Sequence, residues 1–417
     1  MHRRAFLTGA ALAPLGLTNR AFAAPTAASD KRLLVVFAPG GWDPTRVFAD
    51  GFDTAGVDME PDAERATAGG ISYIDHVTRP SVAAFLSQEH ARTLVFNGLM
   101  VRSIAHDICT MLALTGTSSG LSPDWPAILA SKALDRYTLP HLVVDGPSYP
   151  GDLGAGVARS GANGQLESLV SGDVFGTVGL PRTNRVAEQI VDRHLARRGD
   201  ARLAATQGSI DGSLVGDYRS ALERLGGLKD LSYTFDFTGG ATLEAQASVA
   251  IEALSAGVSR AVTVASPGSA TGGNWDTHAQ NDDLQAPLWE SLFQGLGFLM
   301  TLLDTTTGPS GLPLSEDTLV LVLSEMGRTP ALNGVLGKDH WPYTSAMLVG
   351  KGITGDRMIG GFDAGFGGLP VDAASGEVVA DGPLLSAEAL GATVLAWADI
   401  DPGPYTAGVA PISGVLT

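Results

Sequence analysis

The chain has 417 residues, of which 44% are hydrophobic and only 6% aromatic, and it carries a formal charge of −17. That length suits one large α/β domain or two smaller ones, with ample apolar residues for a packed core. The negative charge argues against nucleic acid or an anionic membrane surface as a partner, because like charges repel.

Residues 1–23 read as an export signal rather than as part of the fold. His2-Arg3-Arg4-Ala5-Phe6-Leu7 is a twin-arginine motif, followed by an apolar run through Leu17 and a small-residue cleavage site at Ala21-Phe22-Ala23. Cleavage removes Arg3, Arg4 and Arg20 and no acid, so the mature chain carries a charge of about −20. The expected location is the periplasm, with an uncleaved anchor as the alternative. No later apolar run is long enough to span a bilayer, so no stable membrane insertion is expected after cleavage. Cys109 is the single cysteine, which excludes an internal disulfide and leaves core packing to hold the fold.

The mature chain, 24–417, opens with a buried strand at Leu33–Ala38 that breaks at Pro39-Gly40-Gly41. Asp43 follows, at a position suited either to a metal ligand or to a turn aspartate before Pro44. Residues 50–78 look irregular. A helix is predicted over Thr78–Glu89 and a strand over Thr93–Phe96. A further helix runs from Ile108 to a stop near Gly116, with His106 and Asp107 at its N-terminus. The partial positive charge there suits an anionic group in transfer, so His106 reads as nucleophile, proton donor or metal ligand, or as a cap-region residue. Cys109 reads as a small buried residue.

Beyond a helix at Ser122–Leu134 and a strand at Leu139–Val144, residues 145–232 read as a cap or insertion, helical around Arg185–Arg198 and Leu214–Leu228. A helix at Thr242–Ala256 stops at Gly257, and a strand follows at Ser259–Ala265. Gly272-Gly273-Asn274-Trp275-Asp276-Thr277-His278 then sets a carboxylate and an imidazole one residue apart, a spacing that lets both meet one cation. A helix starting near Pro287 carries a Leu288, Leu292, Leu296, Leu299, Leu303 stripe that is core.

The stretch around which the rest is organised runs from Leu319 to Trp341. Its apolar start is a central strand, and its polar continuation brings Ser324, Glu325, Arg328, Lys338, Asp339 and His340 to the carboxyl end of that strand, where α/β sheets bind ligands. Ser345–Val349 reads as the last central strand. Glycine-rich loop follows from Gly360, with one helix at Ser386–Trp397.

Together, Gly40-Gly41-Trp42-Asp43, His106 with Leu114-Thr115-Gly116 downstream, Asn274-Trp275-Asp276-Thr277-His278-Ala279-Gln280-Asn281, and Ser324-Glu325-Met326-Gly327-Arg328-Thr329-Pro330 with Gly337-Lys338-Asp339-His340-Trp341 resemble the domain of unknown function 1501 family of exported proteins, within the alkaline phosphatase/sulfatase superfamily. The resemblance implies an alkaline-phosphatase-like three-layer α/β sandwich with a mainly parallel central sheet and an inserted cap region. It implies hydrolysis or transfer of phosphate or sulfate esters with one or two divalent cations (Zn, Mn or Ca). Carried over, Asp43, Asp276, His278, Glu325 and His340 are the expected metal residues and His106 stands near the nucleophile position; from the loop itself, Asp339 joins the metal set and Arg328 suits an oxyanion by its planar fork, so that His106 and Arg328 are the expected catalytic residues. Met326 stands where a metal-binding His or Asn is usual. The residues after Cys109 lack the proline and arginine that a formylglycine sulfatase needs. The expected partner is an anionic ester substrate. The competing reading is a non-catalytic exported metal-binding scaffold with a protein partner.

Overall fold

The computed structural model describes residues 31–161, 166, 185–206, 208–231, 240–268 and 273–417. The twin-arginine segment and part of the expected cap region lie outside them.

Eight strands form one sheet: β1 (Arg32–Phe37), β2 (Thr93–Met100), β3 (His141–Val143), β4 (Val157–Arg159), β5 (Ala261–Ala265), β6 (Thr318–Leu323), β7 (Tyr343–Val349) and β8 (Arg357–Gly360). Their spatial order is β8-β2-β7-β6-β1-β5-β3-β4. Every neighbouring pair is parallel except those made by β7, which runs antiparallel to β2 and β6. The fold is therefore a mixed α/β sandwich with a mainly parallel sheet.

The central strands are predominantly apolar because both sheet faces are covered. In β1, Leu34 and Val36 join one core with Val82, Phe85, Leu254, Leu292 and Leu296. Leu33, Val35 and Phe37 join the opposite core with Leu114, Ile128, Leu390 and Val394. The first core is roofed by helices α1 (Pro80–Glu89), α6 (Leu243–Ser255) and α7 (Asn281–Thr305), and the second by α2 (His106–Thr115), α3 (Trp125–Ser131) and α8 (Ala387–Trp397). The remaining helices, α4 (Arg185–Ala205) and α5 (Ile210–Leu231), pack on each other.

Three expectations need correction. Residues 50–78 are not wholly irregular: Glu64–Ala68 and Ile71–Asp75 pair as an antiparallel hairpin across Gly69-Gly70. Gly-Gly between two strand-like runs is itself a hairpin signal. Helix α7 starts at Asn281 and contains Pro287, although a proline usually marks a first turn. Its early turns stand because Asn281 and Gln285 are fully buried and bonded beneath the Asp276–His278 loop. Finally, Arg357–Gly360 forms an edge strand inside what reads as the approach to a loop.

This topology positions the candidate site. The parallel strands β1, β2, β5 and β6 all end on one sheet edge, and antiparallel β7 begins there. The segments carrying Asp43, His106, Asp276, Glu325 and His340 follow or precede those ends, so residues more than two hundred positions apart meet.

Candidate metal centre

Gly40 follows β1 with φ of +123°, and a Cβ there would lie 2.8 Å from the Asp276 nitrogen. Only glycine lets the two loops touch at this point. The Gly40 N–H donates to both Glu325 carboxylate oxygens, at 2.8 and 3.1 Å, so the turn after β1 grips the turn after β6.

Three histidines surround one oxygen of Asp276. His278 Nε2 lies 3.0 Å from Asp276 Oδ1, His340 Nε2 3.1 Å and His106 Nε2 3.5 Å, while His278 and His340 Nε2 are 3.0 Å apart. The other ring nitrogens are all tied down. His106 Nδ1 donates to Glu325 Oε1 at 2.7 Å, His278 Nδ1 to Asp339 Oδ1 at 2.8 Å, and His340 Nδ1 to the Ile104 carbonyl at 2.7 Å. An ionised carboxylate and a carbonyl can only accept, so the protons sit on Nδ1. A neutral imidazole then has a bare Nε2, and His106 Nε2 is buried without a hydrogen-bond partner. Three lone pairs and a carboxylate oxygen aimed at each other repel unless a cation lies among them.

The donor set fits a divalent ion. A tetrahedral shell at ligand distances of about 2.0–2.1 Å has donor separations of about 3.3 Å. The observed 3.0, 3.1 and 3.5 Å bracket that value. Imidazoles held through their second nitrogen by a carboxylate or carbonyl are the usual support of a metal ligand. His106, Asp276 and His340 present donor atoms within 4.8 Å of one another; His278 Nε2 lies beside this group, 3.0 Å from Asp276 Oδ1 and from His340 Nε2.

Asp276 is held ionised, as a ligand to a cation must be. Burial works against the Asp276 carboxylate, but the Arg328 guanidinium bonded to it prevails, and its pKa is held at about 2. The hydrogen bond to Glu325 raises the pKa of His106 against the opposing effect of burial, so an ion bound there displaces a proton that this ring holds more firmly than usual.

Not every expected residue belongs to this cluster as a ligand. Asp276, His278 and His340 come together as expected, and His106 completes them. Glu325 and Asp339 lie one step out, orienting His106 and His278. Arg328 is fully buried and its donors are committed: to the Gly40, Gly41, Trp275 and Lys338 carbonyls and to Asp276. It braces Asp276 and presents no free fork to an oxyanion, contrary to the expectation. Asp43 is also fully buried and lies beneath the cluster, bonded to Lys338, Arg46, Asn281 and Thr45. Cys109 packs with Val101, Leu112 and Met326, and burial pushes its thiol up to about 11, so it is an inert core residue.

Sequence reasoning missed the floor of the site. Asn281 and Gln285, one helical turn apart, tie Asp43 to Thr277, the residue between Asp276 and His278. Their i, i+4 spacing directly after the Asp-x-His motif was the available signal.

No helix among the described residues is long and apolar enough to cross a membrane. No curated protein matches the sequence. Among solved structures, the chain is similar to the PsFucS1 sulfatase from Pseudoalteromonas sp., at 10% identity over 93% of this chain and 74% of that one, with a TM-score of 0.36. It is similar to Ps i-CgsB in complex with k-i-k-neocarrahexaose at 10% identity, over 92% and 75% of the two chains, with a TM-score of 0.37. A third likeness, to a protein of glycosaminoglycan metabolism in Bacteroides thetaiotaomicron, has 11% identity over 92% and 75% and a TM-score of 0.38. Overlays this loose bear on neither substrate nor chemistry. The family described as "Protein of unknown function (DUF1501)" matches residues 181–410, which include Asp276, His278, Glu325, Arg328, Asp339 and His340. A match across more than half of the chain assigns the protein to the DUF1501 family.

Proposed function

We propose that the protein is an exported, metal-dependent hydrolase or transferase of phosphate or sulfate esters, working in the periplasm after twin-arginine export. The observation that carries the metal-dependent part is the convergence of three bare imidazole nitrogens on Asp276 Oδ1, each ring fixed from behind by Glu325, Asp339 or the Ile104 carbonyl. The ester class rests on the motif resemblance, and the export on the twin-arginine segment.

His106, Asp276, His278 and His340 would hold the ion. Three imidazoles and one carboxylate suit Zn or Mn better than Ca, which prefers about six to eight oxygen ligands. When bound, a divalent cation supplies Lewis-acid polarisation of the ester and neutralises its charge within a strongly acidic protein. The chain's own residues do the rest. Arg328 fixes the Asp276 carboxylate by a 2.6 Å bond and shields its charge. Glu325 holds the Nδ1 proton of His106, keeping that ring in one tautomer at the positive end of α2. This replaces the nucleophile role for His106 with a ligand role, because its free nitrogen faces the other ligands rather than open solvent.

One observation favours the non-catalytic reading: His278 stands beside the His106–Asp276–His340 group as a fourth donor, and a shell closed by it would bear the mark of a structural site. The two readings separate on turnover. The full mature chain is assayed with aryl phosphate, sulfate and phosphonate esters and added Zn or Mn. Metal-dependent hydrolysis that disappears, together with bound metal, in His278→Ala and His340→Ala supports the enzyme. Bound metal with no turnover on any ester supports the scaffold. Variants that keep both metal and hydrolysis would refute the assigned site.

A further inference from the structure

Asp43 and Glu325 are the two acids from which a second metal site would be built; Asp43 is saturated by protein donors, and Glu325 is tied to Gly40 and His106. Asp43 Oδ2 receives Lys338 Nζ at 2.9 Å and Asn281 Nδ2 at 2.8 Å, with Arg46 Nε as an ion-pair neighbour at 3.2 Å. Asp43 Oδ1 receives the Thr45 N–H at 3.0 Å and the Thr45 hydroxyl at 2.7 Å. A carboxylate offers about four lone-pair sites, so none is left for a metal. Glu325 is committed differently: the Gly40 N–H spans both of its oxygens and His106 Nδ1 holds Oε1, while the nearby Ser324 hydroxyl gives its one proton to the Ala38 carbonyl at 2.6 Å. The neighbouring side chain, Met326, is fully buried and turned into the apolar nest of Val101, Cys109 and Leu112.

Lys338 is itself fully buried, and its ammonium has two partners, Asp43 and, at 2.9 Å, the Thr45 hydroxyl. Its backbone is locked into the floor of the metal centre: Lys338 N–H donates to the Thr277 carbonyl at 3.1 Å, and its own carbonyl accepts from Arg328 Nη1 at 3.2 Å. A buried carboxylate must be neutralised by something, and here the chain supplies the cation covalently.

We propose that Lys338 takes the place of a metal ion on Asp43, so that the protein binds a single divalent cation, on His106, Asp276, His278 and His340. This rests on the metal-centre reading above and limits it to one ion. Lys338 thereby acts as a positioning residue: its side chain anchors the turn after β1, and its backbone anchors the two loops that carry Asp276, His278 and His340.

The test is native mass spectrometry of the full mature chain, titrated separately with zinc chloride and manganese chloride. One ion per chain at saturation is expected in the wild type, none in His278→Ala, and one in Asp43→Asn. A second tightly held ion in the wild type, or loss of the single ion in Asp43→Asn, would overturn the proposal. A wild type that binds no ion at all overturns the metal-centre reading as well, which separates the two failures. Asp43→Asn leaves Lys338 buried without its countercharge, whereas Arg46 keeps Asp282. If that variant does not fold, the double variant Asp43→Asn/Lys338→Met removes both charges of the pair, and it too should retain one ion.

Discussion

Each of the three clustered histidines uses one ring nitrogen for orientation and keeps the other for the centre. Orientation therefore depends on acids that touch no metal. Asp339→Asn removes the ionised acceptor for His278 Nδ1, now at 2.8 Å, while leaving every ligand in place. Metal affinity is expected to weaken about 10–100-fold. Competition with a chelator of known affinity measures this, and an unchanged affinity would show that Asp339 orients nothing. At the same scale, Asp43 gives a pH dependence. Burial opposes its charge, but Lys338 and Arg46 prevail and its pKa is held at about 2. A depressed folded-state pKa means that the unfolded chain binds the proton more readily. The stabilisation is therefore fully present above the ordinary carboxylate range and is lost as pH falls towards about 2. Denaturation of the metal-free protein between pH 5 and 2 should show the wild type losing stability faster than the Asp43→Asn/Lys338→Met variant, in which this group no longer titrates (a general acid-denaturation window for paired carboxylates).

At the level of elements, the contact between α3 and α8 decides the sign of a mutation that local propensity would misjudge. Gly391 lies inside α8, where alanine normally stabilises a helix by about 1 kcal/mol. A Cβ at Gly391, however, would lie 2.2 Å from the fully buried Trp125 ring. Gly391→Val should therefore destabilise the fold by about 1–3 kcal/mol through overpacking. A denaturant midpoint equal to or above that of the wild type would contradict the close packing. Element starts follow the same logic. Ser386 and Thr242 cap α8 and α6 through side-chain bonds to the Ala389 and Ala245 N–H groups, as their sequence positions suggest. The start of α7 follows no such local rule, since its cap residue Gln280 lies in the left-handed region and makes no side-chain cap bond. Burial of Asn281 and Gln285 sets that boundary instead.

For the whole molecule, the metal centre joins segments that follow β1, β2, β5 and β6 and precede β7, so an ion bound there crosslinks the sheet edge. An ion that binds only the folded state stabilises it by mass action, by about 4 kcal/mol at a thousandfold excess over Kd. Chelation should lower the melting temperature, and zinc should restore it in a concentration-dependent way. In His278→Ala the melting temperature should be insensitive to both treatments. A wild type equally insensitive to chelator and zinc would argue against a tightly held ion.

The strands could be read from the sequence because burial on both faces makes them continuous apolar runs: Leu33–Phe37, Leu319–Leu323 and Ala261–Ala265 need no tertiary information to be recognised. Gly116 and Gly257 end their helices for local backbone reasons, and the Asp276-x-His278 and Lys338-Asp339-His340 motifs declare polar chemistry at strand ends. The sequence could not apportion roles within that chemistry. Asp43 and Asp276 are both aspartates in loops after strands of one sheet. Only the fold puts Lys338, Arg46 and Asn281 on the first and three imidazoles on the second. Arg328 carries the same guanidinium whether it holds a substrate or a backbone, and four carbonyls from distant segments commit it to the backbone. Periodicity and propensity are local properties of the chain and survive in its one-dimensional order. Whether a charged side chain meets a ligand or another charged side chain depends mostly on contacts between residues from 52 to 293 positions apart, and those exist only once the sheet has assembled.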